Sequence, residues 1–87
     1  MPGAVRVGMD SAGGVITGNL APTVLVNGAP IGVKGADITG HGTGAHAGPV
    51  MVGASGTVFA QGKPVCRAGD LATCGDSASG SANVLVG

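Results

Sequence analysis

The residues of this chain best suited to chemistry are two histidines, two cysteines and a few carboxylates. His41 and His46 lie in Asp37-Ile38-Thr39-Gly40-His41-Gly42-Thr43-Gly44-Ala45-His46-Ala47-Gly48. That stretch holds too much glycine for a helix, so it reads as a loop between hairpins. The His-x4-His separation falls within the spacings of structural zinc sites. Cys74 follows His41 by 33 residues, the same shift that separates Asp37 from Asp70. A histidine and a cysteine at matching places in two repeats are both good zinc ligands. Closed structural sites take four N, S or O donors. Asp76 is the favoured fourth, with Cys66 as the alternative. Cys66 lies inside a returning strand, where a free cysteine also serves as a small buried hydrophobe.

Asp10, Asp37 and Asp70 recur near a glycine in each repeat. Three carboxylates invite a catalytic reading, but an Asp accepting backbone N–H bonds in a turn explains why every repeat has one. Ser55, Ser77, Ser79 and Ser81 have no base beside them, so a hydrolase triad is unsupported. The glycine clusters lack the lysine and the strand–loop–helix setting of a phosphate loop. Cys66 and Cys74 do not form a Cys-x-x-Cys pair, which argues against a thioredoxin-like module. The chain reads as a non-enzyme.

Such ligands can meet only if the scaffold brings distant loops together, and the scaffold is repetitive. Thr23-Val24-Leu25-Val26-Asn27-Gly28-Ala29-Pro30 returns as Thr57-Val58-Phe59-Ala60-Gln61-Gly62-Lys63-Pro64. A third copy is split between the ends. Val5-Arg6-Val7-Gly8-Met9-Asp10 matches Cys66-Arg67-Ala68-Gly69-Asp70, and Gly80-Ser81-Ala82-Asn83-Val84-Leu85 matches the start of a repeat. Self-similarity at such a period marks a stacked or symmetric body. Three units closing on each other predict pseudo-threefold symmetry, with equivalent loops gathered at one end. The third side then has Gly14 where the others have His41 and Cys74.

The elements are β in type. Val15–Thr17, Thr23–Val26, Pro49–Val52, Thr57–Ala60 and Asn83–Val86 are short, β-branched and bounded by turn residues. Asn27-Gly28 is a strong hairpin signal, because both residues tolerate positive φ. Pro30 and Pro64 predict that each returning strand starts at a rim or edge. With 19 Gly, one Phe and no Trp or Tyr in 87 residues, the core must be thin. Small domains of that kind need a disulfide, a metal or a partner. Net charge is zero and only 9% of residues are charged, which excludes an electrostatic footprint for nucleic acid or an anionic membrane. No apolar run reaches the ~18 residues of a membrane span, and the N-terminus has no signal-peptide core. A neutral, apolar surface suits a protein that buries part of itself against a partner.

In these words the chain resembles the PAAR-repeat proteins. Pro64-Val65-Cys66-Arg67 followed by Ala68-Gly69-Asp70 stands for the Pro-Ala-Ala-Arg motif, with a weaker echo in Gly3-Ala4-Val5-Arg6 and Pro30-Ile31-Gly32-Val33 in the middle copy. The hairpin words Val-Leu-Val-Asn-Gly-x-Pro and Thr-Val-Phe-x-x-Gly-Lys-Pro, and the closing Gly-Ser-x-Asn-Val-x-x-Gly, are also typical. The resemblance covers nearly the whole chain. It implies an all-β, cone-shaped, pseudo-threefold arrangement of short hairpins over residues 1–87, with little or no helix and no effector extension. It implies one structural zinc ion near the point, held by His41, His46 and Cys74, with Asp76 where a third histidine is usual. It also implies a partner, the trimeric β-helical spike (VgrG or a phage spike) of a type VI secretion system or contractile phage tail, capped by one chain per trimer. Any effector would attach non-covalently. The protein would be made in the bacterial cytoplasm and carried outward on the spike, without anchoring in a membrane.

Overall fold

A computed structural model describes residues 1–87. Six two-residue strands lie along the chain: β1 (Ser11–Ala12), β2 (Gly14–Val15), β3 (Leu25–Val26), β4 (Ala29–Pro30), β5 (Phe59–Ala60) and β6 (Lys63–Pro64). They pair antiparallel in chain order as three separate ribbons. A single 3-10 turn covers Gly44–His46. The fold is all-β with almost no helix, as the sequence predicts. No helix is long and apolar enough to cross a membrane.

The strands are shorter than the β-branched runs that announce them. Of 41 backbone hydrogen bonds, 36 fall outside the strands and the helical turn, so isolated bridges and turns hold the body together. Ile16, Val50, Met51 and Leu85 each enter a single bridge. A segment wrapping a narrow axis meets one neighbour for a residue or two, then passes on to the next.

The bridges run in a cycle. Arg6 pairs with Ile31, Val33 with Val65, and Arg67 with Ala4. At the centre of these three pairs stand Val5, Gly32 and Cys66. The Val5 N–H donates to the Cys66 carbonyl at 3.1 Å, Cys66 to Gly32 at 2.9 Å, and Gly32 back to Val5 at 2.8 Å. This closed ring of backbone bonds marks a pseudo-threefold axis. Around it, Val7, Lys34 and Ala68 donate to the carbonyls of Pro30, Pro64 and Gly3. Pro30 and Pro64 therefore sit between two neighbours rather than at a rim. Only their carbonyls are called on, so the missing N–H costs nothing.

On one side of the ring lie three hairpins. Asn27-Gly28 (φ 52° and 82°) and Gln61-Gly62 (φ 51° and 80°) close the first two with both turn residues at positive φ, the type that matches strand twist. The chain ends make the third: Gly3 bridges Leu85, and the Val86 N–H donates to the Pro2 carbonyl. The equivalence shows in one bond repeated three times, Ile31 to Val24, Val65 to Val58 and Ala4 to Val84, at 2.8, 3.0 and 2.8 Å. One apolar cluster fills the hairpin side, around Ile31, Val65 and Val26; the other, around Ile16, Ile38 and Met51, fills the opposite side.

The register corrects the sequence reading of the aspartates. Asp10 and Asp70 are equivalent, but Ala36 holds their place in the middle unit: the N–H groups of Ile16, Ala78 and Met51 donate to the carbonyls of Asp10, Asp70 and Ala36 respectively. Asp37 falls one residue later and bridges Val50. Asp10 and Asp70 do accept backbone bonds, from the N–H of Arg6 and Arg67, both at 2.8 Å. Each also pairs with the same arginine's guanidinium, at 2.8 and 3.0 Å. Val33 and Ala36 replace this ion pair in the middle unit, so the spacing pattern of carboxylates misled where the pair was lost. The serines are structural too. Ser55 Oγ accepts from Thr57 and Val58 N–H, Ser81 Oγ from Asn83 and Val84 N–H, and Ser79 donates to Asp10 at 2.8 Å.

Two predictions concern this scaffold. Burial alone would raise the Asp10 carboxyl, but hydrogen bonds from the Arg6 guanidinium, the Ser79 hydroxyl and the Arg6 N–H outweigh it and hold its pKa below the usual range. A depressed carboxyl stabilises the fold above its unfolded value of about 3.9 and loses that contribution as pH falls through the folded value. Resistance to urea should therefore fall on acidification, and D10N should lower stability at neutral pH by about 1.5–3 kcal/mol while flattening the acid loss. An unchanged acid slope in D10N would refute this. At Gly32 an added Cβ would meet Val5 Cγ1 at 2.5 Å and Val5 Cβ at 3.2 Å. G32A should cost about 1–3 kcal/mol by overpacking, and G56A, where a Cβ meets nothing within 4 Å, much less.

Candidate metal centre

The end of the body opposite the hairpins carries three loops of unequal length. In the first, β1 and β2 pair Ala12 with Gly14, so Gly13 alone reverses the chain. Its φ of 82° is open to glycine and strained for other residues. In the second, residues 39–49 fold back on themselves. The His41 N–H donates to the His46 carbonyl at 2.8 Å, and the 3-10 turn at Gly44–His46 carries the second histidine back to the first. In the third, Ala72 N–H bonds the Asp76 carbonyl and Gly75 N–H bonds the Ala72 carbonyl. That tight turn puts Cys74 and Asp76 on one side.

The loops bring His41, His46, Cys74 and Asp76 together, with one potential ligand atom of each within 4.8 Å of all the others. His41 Nε2 lies 2.8 Å from Asp76 Oδ2, 3.0 Å from His46 Nδ1 and 3.8 Å from Cys74 Sγ. Asp76 Oδ2 is 3.4 Å from both His46 Nδ1 and Cys74 Sγ. A tetrahedral zinc site with N and O bonds near 2.0–2.1 Å and an S bond near 2.3 Å has ligand–ligand edges of about 3.3–3.6 Å. The observed edges scatter around those values, so two imidazoles, a thiol and a carboxylate fit a closed four-coordinate cation.

Supporting contacts favour the same use. His41 Nδ1 lies 3.1 Å from the Thr39 carbonyl. A carbonyl can only accept, so Nδ1 carries the proton and Nε2 faces the other donors, the arrangement typical of a metal-binding histidine. The Thr39 carbonyl and the Asp76 carboxylate raise the His41 pKa. His41 and Cys74 in turn lower that of Asp76 by hydrogen bonding. The side chains of His46 and Asp76 are about two-fifths exposed.

Cys66 is elsewhere. It is fully buried in the apolar cluster beside the central ring, and both cysteines are free thiols. Burial, with the Asp70 charge adding to it, pushes its thiol up to about 12 despite Arg67. The group of candidate donors on this face includes Asp76, and Cys66 lies outside it. The sequence reading also needs one adjustment on the third side: Gly13, rather than Gly14, faces the donor atoms. A Cβ on Gly13 would meet Asp76 Oδ2 and His41 Nε2, while one on Gly14 would meet the Thr39 carbonyl and His41 Nδ1. The Gly13-Gly14 pair was visible in the sequence, but its place against the ligands was not.

The family model described as PAAR motif matches residues 9–77 and, in a second overlapping alignment, 39–87. No curated protein matches the chain at a significant level.

Zinc content and thermal unfolding, measured together, test the cluster. H41A, C74S and D76A should each lower zinc stoichiometry and melting temperature in step, whereas C66S should retain zinc. In the metal-free protein Cys74 should be alkylated quickly, and Cys66 only on unfolding. Loss of zinc in C66S with retention in D76A would reverse the ligand assignment.

Proposed function

The chain belongs to the PAAR-motif family, which is associated with spike tips of type VI secretion and phage-like contractile systems, and we propose that it is such a tip. It is a structural, non-enzymatic cap on a trimeric β-helical spike of the VgrG kind, one chain per trimer. Residues 1–87 act as a single domain of three units. The chain is made in the bacterial cytoplasm and travels outward on the spike, which it sharpens for membrane puncture and delivery of non-covalently bound effectors.

One observation carries this reading. At equivalent positions the three hairpins present the large apolar side chains of Leu25, Phe59 and Leu85, all more than half exposed. β3 and β5 each pair with one strand only, leaving their outer edges open. A strand edge with an apolar side chain is suited to strand addition, and three such edges around one axis suit a partner with true threefold symmetry. Lone exposed apolar residues need no explanation, but three related by the symmetry of the fold do. At the opposite end His41, His46, Cys74 and Asp76 bind one zinc ion, which in this reading is structural. The ion supplies rigidity where backbone is abundant and side chains are few.

Native mass spectrometry of the purified chain mixed with a trimeric β-helical spike tests the cap. One chain per trimer is expected. Three chains, or no complex, would count decisively against it. F59D should weaken the complex by about 2 kcal/mol or more, as loss of an apolar anchor does, without changing zinc content.

A further inference from the structure

Resting on the reading of the apical cluster as a metal centre, we infer that Gly13 keeps the seat of the ion open. Three loops converge on the cluster and only two supply ligands. The loop without ligands is not remote from the site. An ideal Cβ built on Gly13 would come 2.5 Å from His41 Nε2 and closer still to Asp76 Oδ2. Metal–ligand bonds to imidazole nitrogen and carboxylate oxygen are about 2.0–2.2 Å long. The first carbon of any side chain at position 13 would thus stand against two of the four donor atoms, His41 Nε2 and Asp76 Oδ2, at close to the distances a bound cation takes from them. A methyl group there competes for the same space and offers no positive charge to the carboxylate.

Gly13 is therefore a positioning residue that acts on the metal by leaving a vacancy in its own side-chain direction. Its neighbour works differently. An ideal Cβ on Gly14 would meet the Thr39 carbonyl and come 3.0 Å from His41 Nδ1, so the same loop also leaves room for the hydrogen bond that orients the imidazole. A second reason for glycine at position 13 is its φ of 82°, and strain must be separated from occupancy. Gly28 provides the control: its φ is also 82°, and an added Cβ there meets nothing within 4 Å.

The experiment titrates zinc into metal-free wild type, G13A and G28A against a chromophoric chelator. Wild type and G28A should bind one zinc ion with matching affinity, and G13A should bind it roughly a hundredfold more weakly, the upper end of what loss of a supporting residue costs a metal site. If G13A is unfolded without metal, the zinc concentration needed to fold it, followed by far-ultraviolet circular dichroism, replaces the affinity. A requirement raised by a similar factor over that of G28A supports the inference. Equal values for G13A and G28A overturn it, whether both stay at the wild-type level or both fall, since backbone strain then accounts for any loss. Failure of the wild-type chain to bind zinc overturns the metal reading itself, and the inference falls with it.

Discussion

The closed ring of backbone hydrogen bonds through Val5, Gly32 and Cys66 is the constraint from which the rest follows. Three extended segments can exchange single bonds around a point only if they approach almost to backbone contact. Position 32 is glycine because the Val5 side chain fills the space a Cβ would take there, and its neighbours in the ring, Val5 and Cys66, are fully buried. Closure also divides the interior. Ala4, Ile31 and Val65 face the hairpins, while Ile16, Met51 and Ala78 face the loops. Neither half is large enough to act as a conventional core. Each is closed at its far end by something other than apolar packing, the interlocked hairpins on one side and the four-donor cluster on the other. Arg6 and Arg67 tie the levels together, since each guanidinium grips an aspartate in the turn that leads towards the loops.

The parts of this arrangement that were legible in the sequence are those where local chemistry decides. Asn27-Gly28 and Gln61-Gly62 had to be tight turns, because few other pairs accept positive φ at two successive residues. The split third hairpin could be read from Val5-Arg6 and from Ser81-Ala82-Asn83-Val84, because symmetry demanded a partner for each fragment. Two features were misread for one reason. The hairpins and the glycines that follow them repeat at a shift of 34 residues (Gly28 to Gly62, Gly35 to Gly69), one more than the 33 between Asp37 and Asp70. Asp37 thus seemed to match Asp70 when Ala36 does, and His41 seemed a strict counterpart of Cys74 although it stands one residue further along its loop. The arginines were passed over as motif letters. Arg6-x3-Asp10 and Arg67-x2-Asp70 did carry a signal, a cation and an anion at turn spacing in a chain with few charges.

The donor cluster was legible for a different reason. In a chain with only two histidines and two cysteines, any fold that gathers its loops at one end has few ways to arrange them. Asp76 entered through its closeness to Cys74 in the chain, and Cys66 was separated from it by depth. A side chain beside the central ring cannot reach the loop tips, and burial makes its thiol still harder to ionise. What no spacing could reveal was the inward direction of the Gly13 side-chain position. That depends on a single-residue reversal between β1 and β2, which places one loop's backbone directly against ligands borne by the other two.

The two ends of the molecule use symmetry in opposite ways. At the hairpins it is preserved: two leucines and a phenylalanine, Leu25, Leu85 and Phe59, are exposed to nearly the same degree. At the loops it is abandoned, and a group of four donors requires that. Three identical loops deliver donors in threes, and a fourth could come only from the axis itself. A closed site of four therefore cannot be assembled from general positions of a true trimer. Here the loops contribute none, two and two. That division is open only to a single chain whose three units can differ in sequence, one shortened to a glycine reversal and another lengthened to return a second histidine. Covalent fusion of the units thus does more than join them. It allows one end to stay close to threefold while the other gathers four donor groups, the number that a tetrahedral ion takes.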